Sequence, residues 1–262
     1  PEFTQLDLEM SFFEEKDITD LRDEDLKWFR MKAQAIFQDP YSSLDPYMNV
    51  YQLVEEPLLI HGIKDGKRKL VEDALADVRL TPVEEFATKY PHMLSGGERQ
   101  RVGIARAIVL RPSYIVADEP VSMIDASSRA EILYLLKDLQ EKYGMTILYI
   151  THDIATARHF SDRIAVMYLG RIVELGPSQK LIEKPLHPYT QALIEAVPEP
   201  DPNNRLRERR VIAGEPPSPI HIPEGCRFHP RCPLFIKGLC DRLDPSLNEV
   251  KPQHLVACHL YK

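Results

Sequence analysis

Two short runs, Tyr114-Ile115-Val116-Ala117 and Thr146-Ile147-Leu148-Tyr149-Ile150, are almost wholly apolar, with no alternation of polar and apolar positions. A strand of that kind must be covered on both faces, and a sheet flanked by helices supplies the cover. The first run closes on Asp118-Glu119-Pro120 and the second on Thr151-His152-Asp153. An amphipathic pattern follows each, over 127–142 and from about 154. Strand–helix alternation predicts an α/β fold. In open sheets of that class ligands bind beyond the carboxyl ends of the strands. The polar residues at these two strand ends are therefore candidates for chemistry.

The rest of the chain can be read around this frame. Residues 17–37 carry a short polar turn and then an amphipathic helix, with Ile36-Phe37 leading into a loop rich in proline and serine, 38–46. Helical spacing of Val50, Leu53, Val54 and of Val71, Ala74, Leu75, Val78 predicts a mostly helical region over 49–90. Leu94-Ser95-Gly96-Gly97 precedes a strong helix, 98–110, which Pro112 ends. Residues 163–168 and 171–176 read as a hairpin around Gly170. Past Pro185 the composition changes to a Pro-rich linker over 198–224, and a cysteine-bearing segment, 225–262, closes the chain. Pro1-Glu2-Phe3 and the residues to 16 show no clear period and are set apart as an atypical N-terminus.

Composition narrows the function classes. The net charge is −7, which makes nucleic acid a poor first partner. No stretch reaches the roughly 18 apolar residues of a membrane span. Charged residues, 28% of the chain, predict a well-solvated surface.

Two features carry chemistry. Asp118-Glu119, at a strand tip, can place one carboxylate toward Mg²⁺ and the other toward an attacking water. Taken alone, the pair also fits an acidic strand end facing solvent. Ser95-Gly96-Gly97 combines a hydroxyl, two residues that let backbone approach an anion, and the positive end of a helix. An ordinary helix cap with a flexible glycine pair has the same sequence. Gln38 and His152 are, singly, unremarkable polar residues.

Their order along the chain changes the reading. Gln38, Leu94 to Gln100, Asp118-Glu119, Ser122-Met123-Ile124-Asp125 and His152 resemble, in sequence order, the Q-loop, signature motif, Walker B element, D-loop and switch histidine of the ABC ATPase family. Met123-Ile124 departs from the usual Ala-Leu of the D-loop. The resemblance implies an α/β ABC ATPase core over 17–185 with a helical subdomain near 40–95. It implies head-to-tail pairing with a second ATPase subunit, the two trapping ATP and Mg²⁺ between them. Glu119, His152 and Gln38 would serve the ATP on their own subunit, and Ser95, Gly96, Gly97, Gln100, Asp118 and Asp125 would complete the nucleotide-binding set.

His187-Pro188-Tyr189-Thr190-Gln191-Ala192-Leu193, Gly214-Glu215-Pro216-Pro217-Ser218-Pro219 and the segment from Cys226 to Pro233 resemble the tail of the oligopeptide/dipeptide importer ATPases, and residues 38–46 with Asp118-Glu119-Pro120-Val121-Ser122 look more like the F-type of the family's two paired subunits. That implies two membrane permease subunits, an external solute-binding protein, and a place at the cytoplasmic face of the membrane. The cargo implied is peptide, with sugar as the alternative. A non-transport ABC ATPase and a regulatory module that uses only a metal cluster are the rival readings.

Cys226, Cys232, Cys240 and Cys258 have 5, 7 and 17 residues between successive members. Structural zinc sites use pairs about two to four residues apart, so the wider spacing fits a [4Fe–4S] cluster better, with Zn²⁺, an empty reduced site and disulfides as alternatives. The family resemblance implies the iron–sulfur cluster too. The basic run Arg205, Arg207, Arg209 and Arg210 reads as solvated linker, or else as a contact for lipid headgroups or a membrane subunit.

No G-x-x-x-x-G-K-[ST] pattern occurs in the 262 residues. Gly62-Ile63-Lys64-Asp65-Gly66-Lys67-Arg68 has the wrong spacing, lacks the hydroxyl residue and follows Gln38 instead of preceding it. Lys16-Asp17-Ile18-Thr19 resembles the stretch just downstream of a Walker A loop. The expectation is a chain truncated at its N-terminus that binds ATP weakly or not at all on its own and does not hydrolyse it.

Overall fold

The computed structural model describes residues 12–13, 16–18, 20–197, 214–215, 217–218 and 220–261. The arginine run 205–210 and most of the Pro-rich linker lie outside these residues, as does most of the stretch before 17. Contacts divide the chain into two units, Leu6–His152 and Asp153–Lys262.

The first unit begins with a short antiparallel pair, β1 (Phe12–Phe13) and β2 (Lys16–Asp17). Helix α1 (Asp23–Lys32) runs directly into β3 (Ala33–Ile36). The sequence pattern carries a helix through these last four residues; they form a strand instead. The reason is non-local: Ala33–Ile36 pairs in parallel with Tyr114–Ala117, which satisfies the backbone groups and buries Ile36.

The helical region follows as α2 (Val50–Ile60), α3 (Lys67–Asp77) and α4 (Val83–Thr88). Asn49 starts α2 with a reciprocal cap, its side chain accepting from Gln52 N–H while the Gln52 side chain accepts from Asn49 N–H. The apolar stripe Val50, Leu53, Val54, Leu58 is fully buried against the later helices, each such leucine stabilising by about 2 kcal/mol. Helix α5 (Gly96–Ile108) leads to β4 (Tyr114–Asp118), then α6 (Ala126–Tyr143) and β5 (Thr146–Ile150). The three strands make a parallel sheet in the order β3-β4-β5, with Asp118 opposite Ile150. All three therefore point their carboxyl ends, and the loops after them, the same way.

The second unit holds α7 (Ile154–Phe160), the hairpin β6 (Arg163–Tyr168) and β7 (Arg171–Pro177), α8 (Ser178–Glu183), α9 (Pro188–Ala196), and then β8 (Asn248–Lys251) and β9 (His254–Val256). Its sheet is antiparallel, in the order β6-β7-β9-β8. Pairing of β7 with β9 is what groups the hairpin with the C-terminal segment. The core of this unit centres on Phe228, which touches Tyr168, Tyr189 and His187 ring to ring.

Candidate functional site

Glu119 is held by its backbone before its side chain does anything. It sits one residue past β4 in the left-handed region, φ 40°, a conformation that costs energy for a residue with a side chain. Its N–H donates to Ile150 O at 3.0 Å, and its carbonyl accepts from Ser122 N–H and Ser122 Oγ, both at 3.1 Å. These bonds aim the carboxylate off the sheet edge. There Oε2 accepts from Gln38 Nε2 at 2.9 Å, and Oε1 lies 2.8 Å from His152 Nδ1. Gln38 comes from the loop after β3 and His152 from the loop after β5, so the parallel sheet assembles all three. The His152 side chain is 75% exposed and that of Glu119 24%.

The start of α5 is a second polar surface. Ser95 caps it: Oγ accepts from Glu98 N–H at 3.3 Å, and the Glu98 carboxylate accepts from Ser95 N–H at 2.7 Å. That backbone bond holds the Glu98 carboxyl below the usual carboxylate range. A Cβ added at Gly96 would meet Met123 O at 3.9 Å, and one at Gly97 would meet the Ser128 side chain at 3.7 Å. Both are ordinary contacts, so this chain's own packing does not require glycine at either position.

The turn 119–125 joins the two surfaces. It begins at Glu119, brings Met123 O beside Gly96, and ends at Asp125, whose side chain accepts from Ser128 N–H at 3.0 Å and caps α6. Met123 is exposed and Ile124 buried. Asp118 occupies the end of β4 beside Glu119. The structure thus gathers Gln38, Ser95, Gly96, Gly97, Asp118, Glu119, Asp125 and His152 in one unit.

Gln100 lies in the same unit but faces inward. It is 1% exposed, on the buried face of α5, and its Nε2 has no partner. It lines a cavity of about 370 Å³ together with β3, Leu44, Pro57, His61 and Arg106. Residues that the sequence reading gave no role of their own also shape the site. Ser122 and Ile150 fix Glu119, and Arg99 lies over the Tyr41 ring at 4.0 Å, tying the loop after Gln38 to α5. The Ser95-x-x-Glu98 spacing was a visible signal for the reciprocal cap.

The four cysteines are free thiols in the second unit. Cys226, Cys232 and Cys240 belong to one packed cluster around Phe228, and Cys226 N–H donates to Cys240 O at 2.9 Å. Burial pushes the Cys226 and Cys232 thiols up, and pushes Cys258 up to about 11, with the other three cysteines adding to it. Among the described residues, no group of three or more His, Cys, Asp or Glu is spaced to hold a metal. Nothing among the described residues supports Zn²⁺ or a [4Fe–4S] cluster at these thiols, and Cys226 and Cys240 pack as small apolar groups in the core. The nearby histidines bond elsewhere: His229 Nδ1 to Cys226 O, His259 Nε2 to Leu243 O, and His254 to Glu174.

Comparison with known proteins places this geometry. The ABC transporter family profile matches residues 9–122, and the oligopeptide/dipeptide transporter C-terminal region matches residues 173–240. The oligopeptide transport ATP-binding protein AppF of Bacillus subtilis (strain 168) is 46% identical over 95% of this chain and 76% of its own length. The putative oligopeptide transport ATP-binding protein YkfD of the same organism is 47% identical over 89% of this chain and 71% of its own. Among solved structures, a Clostridium perfringens component of the cbiONQ ABC transporter complex aligns with TM-score 0.59 at 31% identity, over 66% of this chain and 67% of its own. A dimeric ATP-binding cassette in a post-hydrolysis state with ADP and Pi aligns with TM-score 0.56 at 34% identity, over 64% of this chain and 72% of its own. Fold and site together define an ABC-type ATPase. Within that class, the chain belongs to the ATP-binding subunits of the oligopeptide/dipeptide ABC transporter family. No described helix is long and apolar enough to cross a membrane.

Proposed function

We propose that this chain is an F-type ATP-binding subunit that energises import of oligopeptides or dipeptides from the cytoplasmic face of the membrane. It would pair head to tail with a second ATPase subunit and dock on two permease subunits fed by an external binding protein. The observation that carries the reading is the convergence on Glu119: a strand-end carboxylate bonded on one oxygen to Gln38 and on the other to His152. On this reading Glu119 activates water, His152 orients it, and Asp118 supplies a hard oxygen toward Mg²⁺. Bound Mg²⁺ would neutralise charge on the phosphates. Ser95, Gly96 and Gly97 present hydroxyl and backbone N–H to the γ-phosphate of ATP held by the partner. Packing within this chain would accept a Cβ at either glycine, so the need for glycine there is consistent with a backbone that an anion approaches from outside the chain.

The division of labour is testable in residues 1–262 as they stand. With no G-x-x-x-x-G-K-[ST] pattern, this chain alone is expected to turn over little or no ATP, and normal turnover by the purified chain would refute that. Its diglycine surface should nevertheless complete the site of a P-loop-bearing partner subunit. Adding the chain should raise that partner's ATPase rate. Gly97→Asp should abolish the stimulation, and Glu119→Gln should leave it in place. Absence of any stimulation across a range of concentrations would sink the proposal.

A further inference from the structure

Helix α6 touches the signature helix at one end and the helical region at the other. At its start, Ser128 lies against Gly97. One turn on, Glu131 pairs with Arg101 at 2.9 Å, and Arg101 Nη1 also donates to Val78 O at 3.1 Å. Asp138 pairs with Arg79 at 2.7 Å. At its end, Lys142 and the Tyr143 hydroxyl both bond the Asp77 carboxylate, with Arg111 3.6 Å away and stacked over the Tyr143 ring at 4.1 Å. The Asp77 side chain is only 11% exposed. Residues 77–79, at the end of α3, are thus fastened at several points to one face of an 18-residue helix. The opposite side of α5 faces the cavity lined by Gln100 and β3, where Gln100 Nε2 and Arg106 Nε have no partner. One flank of the signature helix is clamped and the other is loosely filled.

We infer that Asp77 is a positioning residue: its clasp on Lys142 and Tyr143 makes α3, α5 and α6 one rigid body, which sets the diglycine start against the 119–125 turn. Its functional arm rests on the reading above; its structural arm does not. Exposed ion pairs contribute little each, but a carboxylate this enclosed, bonded by two donors with the Arg111 cation nearby, is a stronger tie. Cutting it should loosen elements well beyond the contact itself.

Hydrogen exchange on the full chain tests the structural arm. Asp77→Ala should speed exchange at least about tenfold in 94–101 and 119–131, leave 163–196 unchanged, and be largely rescued by Asp77→Glu. Faster exchange confined to 73–80 and 139–145, or a uniform rise across 6–152, would overturn the inference. Should Asp77→Ala fail to fold, Tyr143→Phe removes a single donor and should give the same pattern at smaller amplitude. In the stimulation assay, Asp77→Ala should lower the maximal partner rate several-fold with little change in the half-stimulating concentration. If wild type gives no stimulation, the proposed function fails while the exchange result still decides the clasp.

Discussion

Two carboxylate–imidazole pairs sit in this chain at almost the same separation. Glu119 and His152 are 2.8 Å apart at the sheet edge; Glu174 and His254 are 2.7 Å apart in the second unit. The chemistry of the contact is the same and the surroundings are opposite. The His152 side chain is 75% exposed, whereas His254 and Glu174 are 2% and 0% exposed. Glu174 also accepts from the backbone N–H groups of Leu186 and His187, at 2.8 and 2.9 Å. Every bond of the buried pair ties one element to another: β7, the start of α9, and β9. The exposed pair ties three loops whose far side is solvent. Burial thus separates a fastening from a site, because water can replace a partner in one place and not in the other.

The comparison breaks if truncating the buried pair is harmless. Glu174→Ala would strand His254 and two backbone N–H groups away from water, and should cost about 3–5 kcal/mol, read as a lower urea midpoint for the second unit. Glu174→Gln keeps one acceptor oxygen and should cost less. A loss below about 1 kcal/mol for the alanine variant would mean that the fastening has been misjudged.

Acid attacks the same corner by another route. His187 is buried, its Nδ1 accepts from Tyr189 N–H, and burial lowers its pKa to about 4 from the ordinary 6.5. The folded state holds it neutral while the unfolded chain binds a proton. Its contribution is therefore complete above pH 6.5 and is lost as pH falls toward 4. The shift corresponds to about 3 kcal/mol. His187→Asn keeps a capping oxygen without the titration, so its stability should fall less steeply over that window. Parallel pH curves for the two proteins would count against the burial argument.

Thiols extend the test to a third kind of group. With its pKa raised from 9.0 to about 11, native Cys258 should alkylate at pH 8 roughly 100-fold more slowly than a free thiol, and at the free rate once unfolded. Stoichiometric iron or zinc that protects all four cysteines until a chelator is added would instead restore the ligand set that the spacing suggested.

Much of this architecture was legible where the cause is local. The apolar runs 114–117 and 146–150, the helix start at Ser95 and the hairpin at Gly170 are written in consecutive residues. Ala33–Ile36 was misread because the helical pattern of α1 runs on into it, and only a partner 81 residues away makes it a strand. The burial of Gln100 was legible as well: five residues past Ser95 is roughly 140° around a helix, on the far face. Glu174 carried no signal, since a lone acid in a strand ordinarily faces water and its imidazole partner lies 80 residues on. Motif order located the exposed pair; nothing local could locate the buried one.

The smallest effect is the sharpest test of the comparison. His152→Ala removes one ring from Glu119, but solvent can reach that carboxylate, and Gln38 and the backbone bonds of Glu119 remain. Exposed ion pairs contribute a median of about 0–1 kcal/mol, so unfolding of the first unit should shift by no more than about 0.5 kcal/mol. Glu119→Gln should be equally mild, and the strained φ of residue 119 should persist, because the backbone bonds that impose it do not depend on the side chain. If either substitution cost as much as Glu174→Ala, the strand-end pair would be a fastening like the buried one, and its claim to be a site would fall with the distinction. A near-zero cost leaves Gln38, Glu119 and His152 together at the sheet edge with no structural reason to be there, which is what a working constellation requires.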